Sequence, residues 1–192
     1  KCLNHTFTPT EFGDPAYEEL APGCVSLIVI PDIRNKHLFD RLQPRTSENT
    51  LRQIEHFLSP LVGLHIKCKA AHPEYETVVL DFRVRFHNRY DAHAYQAILN
   101  EDILRFLSPW AFGESSTIQF GGRLYKSMLI QFIEELPYVD FISLFRMYHR
   151  IGSQDINIRD KNEIVASSAR AILVSAPAHN ITVIESDNVC NE

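Results

Sequence analysis

Hydrophobic residues recur along this chain with two periods, and the switches between them mark its elements. Both faces of residues 24–30 are apolar, Val25, Leu27 and Val29 on one side and Ile28 and Ile30 on the other. That predicts a strand inside a sheet, stopped by Pro31. After a Thr46 or Ser47 cap, Leu51, Ile54, Phe57, Leu58 and Leu61 follow at helical spacing, and Gly63 closes the helix. Leu64, Ile66, Cys68 and Ala70 then alternate with His65, Lys67 and Lys69, the pattern of a half-buried strand. Beyond the break at His72-Pro73-Glu74 the alternation is clearest. Val78, Leu80, Phe82, Val84 and Phe86 face one way, and Asp81, Arg83, Arg85 and His87 the other. Asp91 caps a helix carrying Tyr95, Ile98, Leu99, Ile103, Phe106 and Leu107, which ends at Ser108-Pro109.

This order predicts an α+β fold. Residues 21–108 read β-α-β-β-α, a ferredoxin-like module with two helices on one face of a mainly antiparallel sheet. Residues 109–185 read as a smaller α+β module. It holds a short strand at 117–120, a turn at Gly121-Gly122, and a helix at 124–136 with Met128, Leu129, Phe132, Ile133 and Leu136 on one face. An apolar strand at 139–148 and a polar loop at 150–162 follow, and closing strands at 164–176 and 181–185 end it. Residues 1–20 are an acidic linker or arm, and 186–192 a tail.

Composition narrows the function classes. The 192 residues are 45% hydrophobic and 22% charged, ordinary for a globular chain. A net charge of -5 argues against nucleic acid as a partner, since such binders carry a basic surplus. No apolar run reaches the length of a membrane span. The chain starts at Lys1 and reads as a fragment of something longer. Cys2, Cys24, Cys68 and Cys190 form no CxxC pair, so a zinc site is not expected. Cys24 and Cys68 read as small buried hydrophobes in a reducing compartment, and Cys2 and Cys190 lie near the ends and could pair if the ends meet.

The search for catalytic chemistry returns little. Nine histidines are present, but no HExxH and no pair at i, i+4 spacing. No GxSxG elbow, GxGxxG or phosphate loop occurs. Gly121-Gly122-Arg123 reads as a structural turn requiring positive φ, with Pro109 as a second structural breaker. No catalytic, cofactor-binding or metal-ligating residue is assigned, and no cofactor is expected. Arg83, Arg85 and Arg89 gather by the polar face of the best strand, whose aromatics Phe82 and Phe86 point inward. That suits a solvated face or an acidic protein partner better than RNA. Phe39 and Leu42 in one loop, and Trp110 and Phe112 in another, are either core plugs or interface residues. The interface candidates are therefore Phe39, Leu42, Arg83, Arg85, Trp110 and Phe112. Two alternatives stand beside them: a metal-dependent hydrolase using scattered His and Asp such as His87 and His93, and a small adaptor holding an acidic ligand through Arg83 and Arg85.

The order of several short motifs resembles a known family. Ala21-Pro22-Gly23-Cys24-Val25-Ser26-Leu27, Leu61-Val62-Gly63, and the segment through Pro73, Tyr75 and Val78 come first. Phe106-Leu107-Ser108-Pro109-Trp110, Phe120-Gly121-Gly122-Arg123-Leu124-Tyr125 and Val139-Asp140-Phe141-Ile142 follow, with Ala171–Ser175 and Ala176 and then residues 179–183 closing. Together they are similar to the baseplate J family of contractile phage tails, over about residues 21–184. The sequence departs from that pattern in its doubled glycine and in its long, charged 31–44 loop. The resemblance implies a non-enzymatic baseplate wedge component of a contractile tail, prophage or injection system. Its implied partners are copies of itself and other baseplate proteins. Its implied location is the cytoplasm during assembly and then the particle.

Overall fold

A computed structural model describes residues 1–10, 14–32, 40–112, 118–152 and 159–184. The fold is α+β, and the chain forms two compact units. Lys1–Glu74 with Ser167–Ala171 make the first, and Tyr75–Ala166 with the chain from Ile172 onward make the second.

The first unit is built on β1 (Cys2–Asn4), β2 (Cys24–Ile28) and β3 (Lys67–Ala71), with α1 (Glu48–Leu58) between β2 and β3 in sequence. The strand apolar on both faces does take the middle place, in the order β1-β2-β3. β1 pairs with it antiparallel, Leu3 opposite Ser26, so the expected acidic arm begins as part of the sheet. β3 pairs with it parallel, Val25 opposite Cys68. A parallel pair needs a crossover, and α1 supplies it. Ser47 caps α1 by accepting the Thr50 N–H at 3.2 Å. The Ala70 N–H on the outer edge of β3 donates to Glu55 Oε1 at 2.7 Å, so a side chain from α1 occupies a donor that a further strand would need. Cys2, Cys24 and Cys68 are free thiols, the last two half-buried, and burial pushes the Cys68 thiol up. Cys190 lies outside the described residues.

The second unit is organised by β4 (Glu74–Phe86). β6 (Val139–Ile151) runs antiparallel to it, Leu80 opposite Met147, and β9 (Asn180–Val183) parallel, Phe82 opposite Ile181. β8 (Ala171–Ser175) also neighbours β4. α2 (Ala92–Leu107) and α3 (Lys126–Glu134) cover the apolar side. Val78, Leu80, Phe82, Val84 and Phe86 are all buried there with Leu99, Ile103, Leu129 and Ile133. Asp91 caps α2 through the Ala94 N–H at 2.8 Å. A small ladder of β5 (Arg123–Tyr125) and β7 (Glu163–Val165) adds Leu124 and Ile164 to the core.

These strands lie in separate sheets, which corrects the single ferredoxin-like sheet expected from the element order. β2 and β3 belong to one sheet and β4 to another. The break at His72-Pro73 ends β3 instead of turning β4 back beside it. Two strand boundaries differ as well. Leu64 and Ile66 precede β3 and are exposed, and the segment expected as one strand at 164–176 is divided between β7 and β8. The short strand expected at 117–120 is not one at residues 118–120, and Arg123–Tyr125 pairs instead.

Within the second unit, His149 Nε2 lies 2.7 Å from Oε2 of the fully buried Glu76. A buried carboxylate that loses such a partner is costly, whereas an apolar replacement of the whole pair is often tolerated. His149→Leu should therefore lower unfolding free energy by about 3 kcal/mol in urea titration, and His149→Gln, which keeps a hydrogen-bond donor for the carboxylate, should lose less than that change.

Candidate assembly interface

The period-2 geometry that buries the Val78–Phe86 row turns Asp81, Arg83 and Arg85 to the opposite side of the sheet. Register then sets Phe141 opposite Arg85, Ser143 opposite Arg83 and Arg146 opposite Asp81. Arg85 is largely committed within the chain. Its Nε donates to Asp140 Oδ2 at 2.5 Å, and its guanidinium lies 4.3 Å over the Phe141 ring. Tyr148 donates its hydroxyl to Asp81 at 3.4 Å, and Arg146 is 4.0 Å from the same carboxylate. Arg89 lies over the Tyr90 ring. Arg83 is exposed and has no side-chain partner among the described residues. Of the expected pair, Arg83 is thus the cation available to another molecule. One reason for the face's shape is a bulge where Asp81–Arg83 spans Arg146–Ser143, at which Leu144 adopts φ +49° and stands exposed.

The Pro-Trp segment forms a single 3-10 turn, Pro109–Phe112, after α2. Trp110 is only 9% exposed, and it lines a cavity. That cavity, about 290 Å3, lies between the α2 end and the glycine turn, with Phe106, Pro109, Gly122 and Met128 in its wall. Phe112 is half-buried, with the Arg105 guanidinium 5.4 Å from its ring centroid. The expected module boundary between residues 108 and 109 falls inside the second unit. Gly121 takes φ +64°, and Gly122 does not require a glycine, since a Cβ there would meet nothing closer than 3.7 Å. Gly122 C=O accepts from Ala166 N–H, and Arg123 pairs with Glu163 at 3.2 Å. These contacts are those of a turn opening β5.

Leu42 is half-buried in a bend held by Asp40 Oδ1, which accepts the Leu42 and Gln43 N–H groups. Phe39 lies outside the described residues. The sequence reading missed a different surface. Phe57, Leu61, Leu64 and Ile66, from the α1 end to the start of β3, are all exposed, Phe57 to 70% and Leu64 completely. The signal was available: an apolar stripe on α1 continues past the residues needed to cover a three-stranded sheet.

A Ser–His pair does occur, and its hydrogen bonds show what it does. His179 Nδ1 accepts the Leu80 N–H at 3.3 Å, which leaves Nε2 to donate to Ser175 Oγ at 3.0 Å. Ser175 Oγ donates onward to the Ala176 carbonyl, and Ser175 N–H to Ser108 Oγ. His179 N–H donates to Asn100 Oδ1. Each atom is used in tying β8 and the turn before β9 to α2, and the pair is buried. Desolvation lowers the His179 pKa to about 4. Among the described residues no group of three or more His, Cys, Asp or Glu is arranged to hold a metal ion. His87 is near Asp140 at 3.8 Å, and His93 is exposed on α2.

With this geometry in place, the comparisons with known proteins decide the family. A family model described as baseplate protein PVC11-like matches residues 17–165. The chain belongs to that family. No curated protein matches it in sequence. Among solved structures it is similar to a chain in the cryo-EM structure of the anti-feeding prophage baseplate, 6-fold symmetrised. The TM-score is 0.55 at 19% identity, over 79% of this chain and 29% of that one. The likeness is one of fold, and the present chain spans less than a third of its relative's length.

Two outcomes test the structural roles. Gly121→Ala should destabilise by about 1 kcal/mol or more and Gly122→Ala by under about 0.5 kcal/mol, measured by urea unfolding. The neutral, buried His179 makes the unfolded chain bind more protons than the folded one between its ordinary pKa of 6.5 and about 4. Its contribution is therefore complete above pH 6.5 and is lost as pH falls toward 4, by roughly 3 kcal/mol at the acid end. Stability measured across that window should flatten in His179→Asn.

Proposed function

We propose that this chain is a structural subunit of the baseplate in a contractile tail or phage-tail-like injection system, a wedge component of the baseplate J type. The observation that carries the reading is the family match over residues 17–165. The finer baseplate J assignment rests on the order of the motifs at 106–110, 120–125 and 139–142. The partners are neighbouring copies of the chain and other baseplate proteins. Assembly takes place in the cytoplasm, and the finished particle holds the protein thereafter. No catalysis is assigned to it.

Two surfaces support contact with other proteins. One is the apolar group Phe57, Leu61, Leu64 and Ile66, whose exposure in a single subunit is the usual mark of an interaction site. The other is Arg83 on the open face of β4. The related baseplate structure is 6-fold symmetrised, so each contact there is repeated around a ring. Repetition lets weak individual contacts hold one baseplate state until a trigger favours another.

The test is assembly. Leu64→Asp and Arg83→Glu, both at exposed positions, should leave the unfolding midpoint of the isolated chain within about 0.5 kcal/mol of the parent. Leu64→Asp should reduce incorporation into particles at least about tenfold, the effect of losing roughly 1.4 kcal/mol per contact. Immunoblots of purified particles and electron microscopy of their baseplates measure it. Full incorporation of both variants would refute the assignment of these surfaces. Absence of the parent chain from every particle would refute the baseplate role.

A further inference from the structure

The most exposed large hydrophobic residues among those described are Leu64, Leu20, Phe57 and Leu61, and all four lie in the first unit. None owes its exposure to a loose backbone. Leu20 is 82% exposed although the chain is held on both sides of it. Glu18 exchanges backbone hydrogen bonds with Phe7 at 2.8 and 3.1 Å, Glu19 Oε1 accepts the Ala169 N–H at 2.9 Å, and the Ala21 N–H donates to the His5 carbonyl at 2.7 Å. Phe57, Leu61, Leu64 and Ile66 stand on the α1 end and on two turns. The Leu61 N–H closes one on the Leu58 carbonyl, and the Ile66 N–H the other on the Gly63 carbonyl. An ordered backbone of this kind has little freedom left to lose on docking.

The two groups carry opposite charge. Residues 56–67 contain no carboxylate. Lys67 at one end, and Arg52 one helical turn before His56, are exposed and have no side-chain partner among the described residues. Glu55, the acid just before this stretch, is turned to the Ala70 N–H. Around Leu20 the sign reverses. Residues 14–20 hold Asp14, Glu18 and Glu19 and no cation, and the exposed Glu18 has no side-chain partner among the described residues.

Area and charge together select the occupant. Phe57, Leu61, Leu64 and Ile66 expose roughly 500 Å2, well over half of the roughly 800 Å2 that each partner gives to an interface of standard size. Two such patches face to face would bring only cations together, whereas patch and acidic segment match in charge as well as in apolar character. An anionic membrane would draw the patch and repel the acidic segment. A second copy of the chain uses both.

We propose that the acidic segment around Leu20 of one copy docks on the apolar patch at residues 57–66 of a second copy. Leu20 lies on the apolar side chains, and Glu18 is turned toward the cations at the patch's edge. The patch as an interface is the reading given above; what is added is its partner, and that partner is found on the same unit.

Sedimentation equilibrium of the full chain tests it. The average mass should rise with concentration above that of one chain, and high salt should lower it by screening the paired charges. Leu20→Lys removes the acidic segment's contact and Leu64→Asp that of the patch. Both positions are exposed, so unfolding midpoints should stay near the parent's, while each variant alone should associate at least about tenfold more weakly. Mixed together, the two variants should form a one-to-one dimer. Leu64→Asp still supplies an intact acidic segment, and Leu20→Lys an intact patch. A parent chain that is monomeric at every concentration would overturn the proposal, as would a mixture no more associated than its components. Association of Leu20→Lys equal to the parent's would overturn it in favour of patch on patch. Equal binding of the parent and Leu20→Lys to phosphatidylserine vesicles, without self-association, would overturn it in favour of a membrane. A monomeric parent that still enters particles sinks this proposal alone. An associating chain absent from every particle sinks the baseplate role alone.

Discussion

The second unit depends on the alternation along β4. Five side chains, Val78 to Phe86, must face one way, and a slip of one residue would move the whole row to the other side. That single requirement fixes the register of β6 and β9, because both pair directly with β4. It fixes what α2 and α3 bury, since Leu99, Ile103, Leu129 and Ile133 complete the same core. It also determines the outward face without further design. Arg83 stands exposed because Phe82 and Val84 on either side of it cannot.

Polar anchors then set where the elements stop. Ser108 is fully buried, and its hydroxyl accepts the Ser175 N–H while its own N–H caps the end of α2. His179 and Asn100 perform the same service at the turn into β9. A buried network of this kind specifies one arrangement only when every member is satisfied. A neutral His179 supplies the one donor and one acceptor that its two neighbours need. Protonation would set a second donor against the Leu80 N–H, so acid attacks the closing segment through this ring.

Local pattern carried much of this and then reached its limit. The central place of β2, the inward row of β4, the Asp91 and Ser47 caps, the stop at Ser108-Pro109 and the positive φ at Gly121 are all consequences of a residue and its near neighbours, and all were legible. Pairing between distant strands is not. Nothing in residues 67–86 says that β3 ends its sheet and β4 begins another; the Glu55 carboxylate on the Ala70 N–H helps to close that edge, and it comes from α1, outside that stretch. Likewise Arg85 looked as available as Arg83 until register brought Phe141 and Asp140 beside it. Trp110 looked like a loop aromatic until the 3-10 turn folded it inward.

The failure of periodicity in α1 is the more useful one. Leu51, Ile54, Phe57, Leu58 and Leu61 make a regular stripe, yet burial fades along it, from Leu51 at 4% exposure to Phe57 at 70% and Leu61 at 69%. A helix of this kind is read as core because apolar side chains at that spacing normally have a sheet beneath them. Here the sheet has three short strands, and the stripe outruns it. Leu64 and Ile66 extend the exposed apolar surface in the strand-like alternation that made residues 64–70 look half-buried. For an isolated domain such residues would be a liability, exposing apolar area that favours association. An amphipathic pattern wider than the sheet beneath it is therefore a sequence-level sign of exposed apolar surface, and it involves different residues from the loop aromatics.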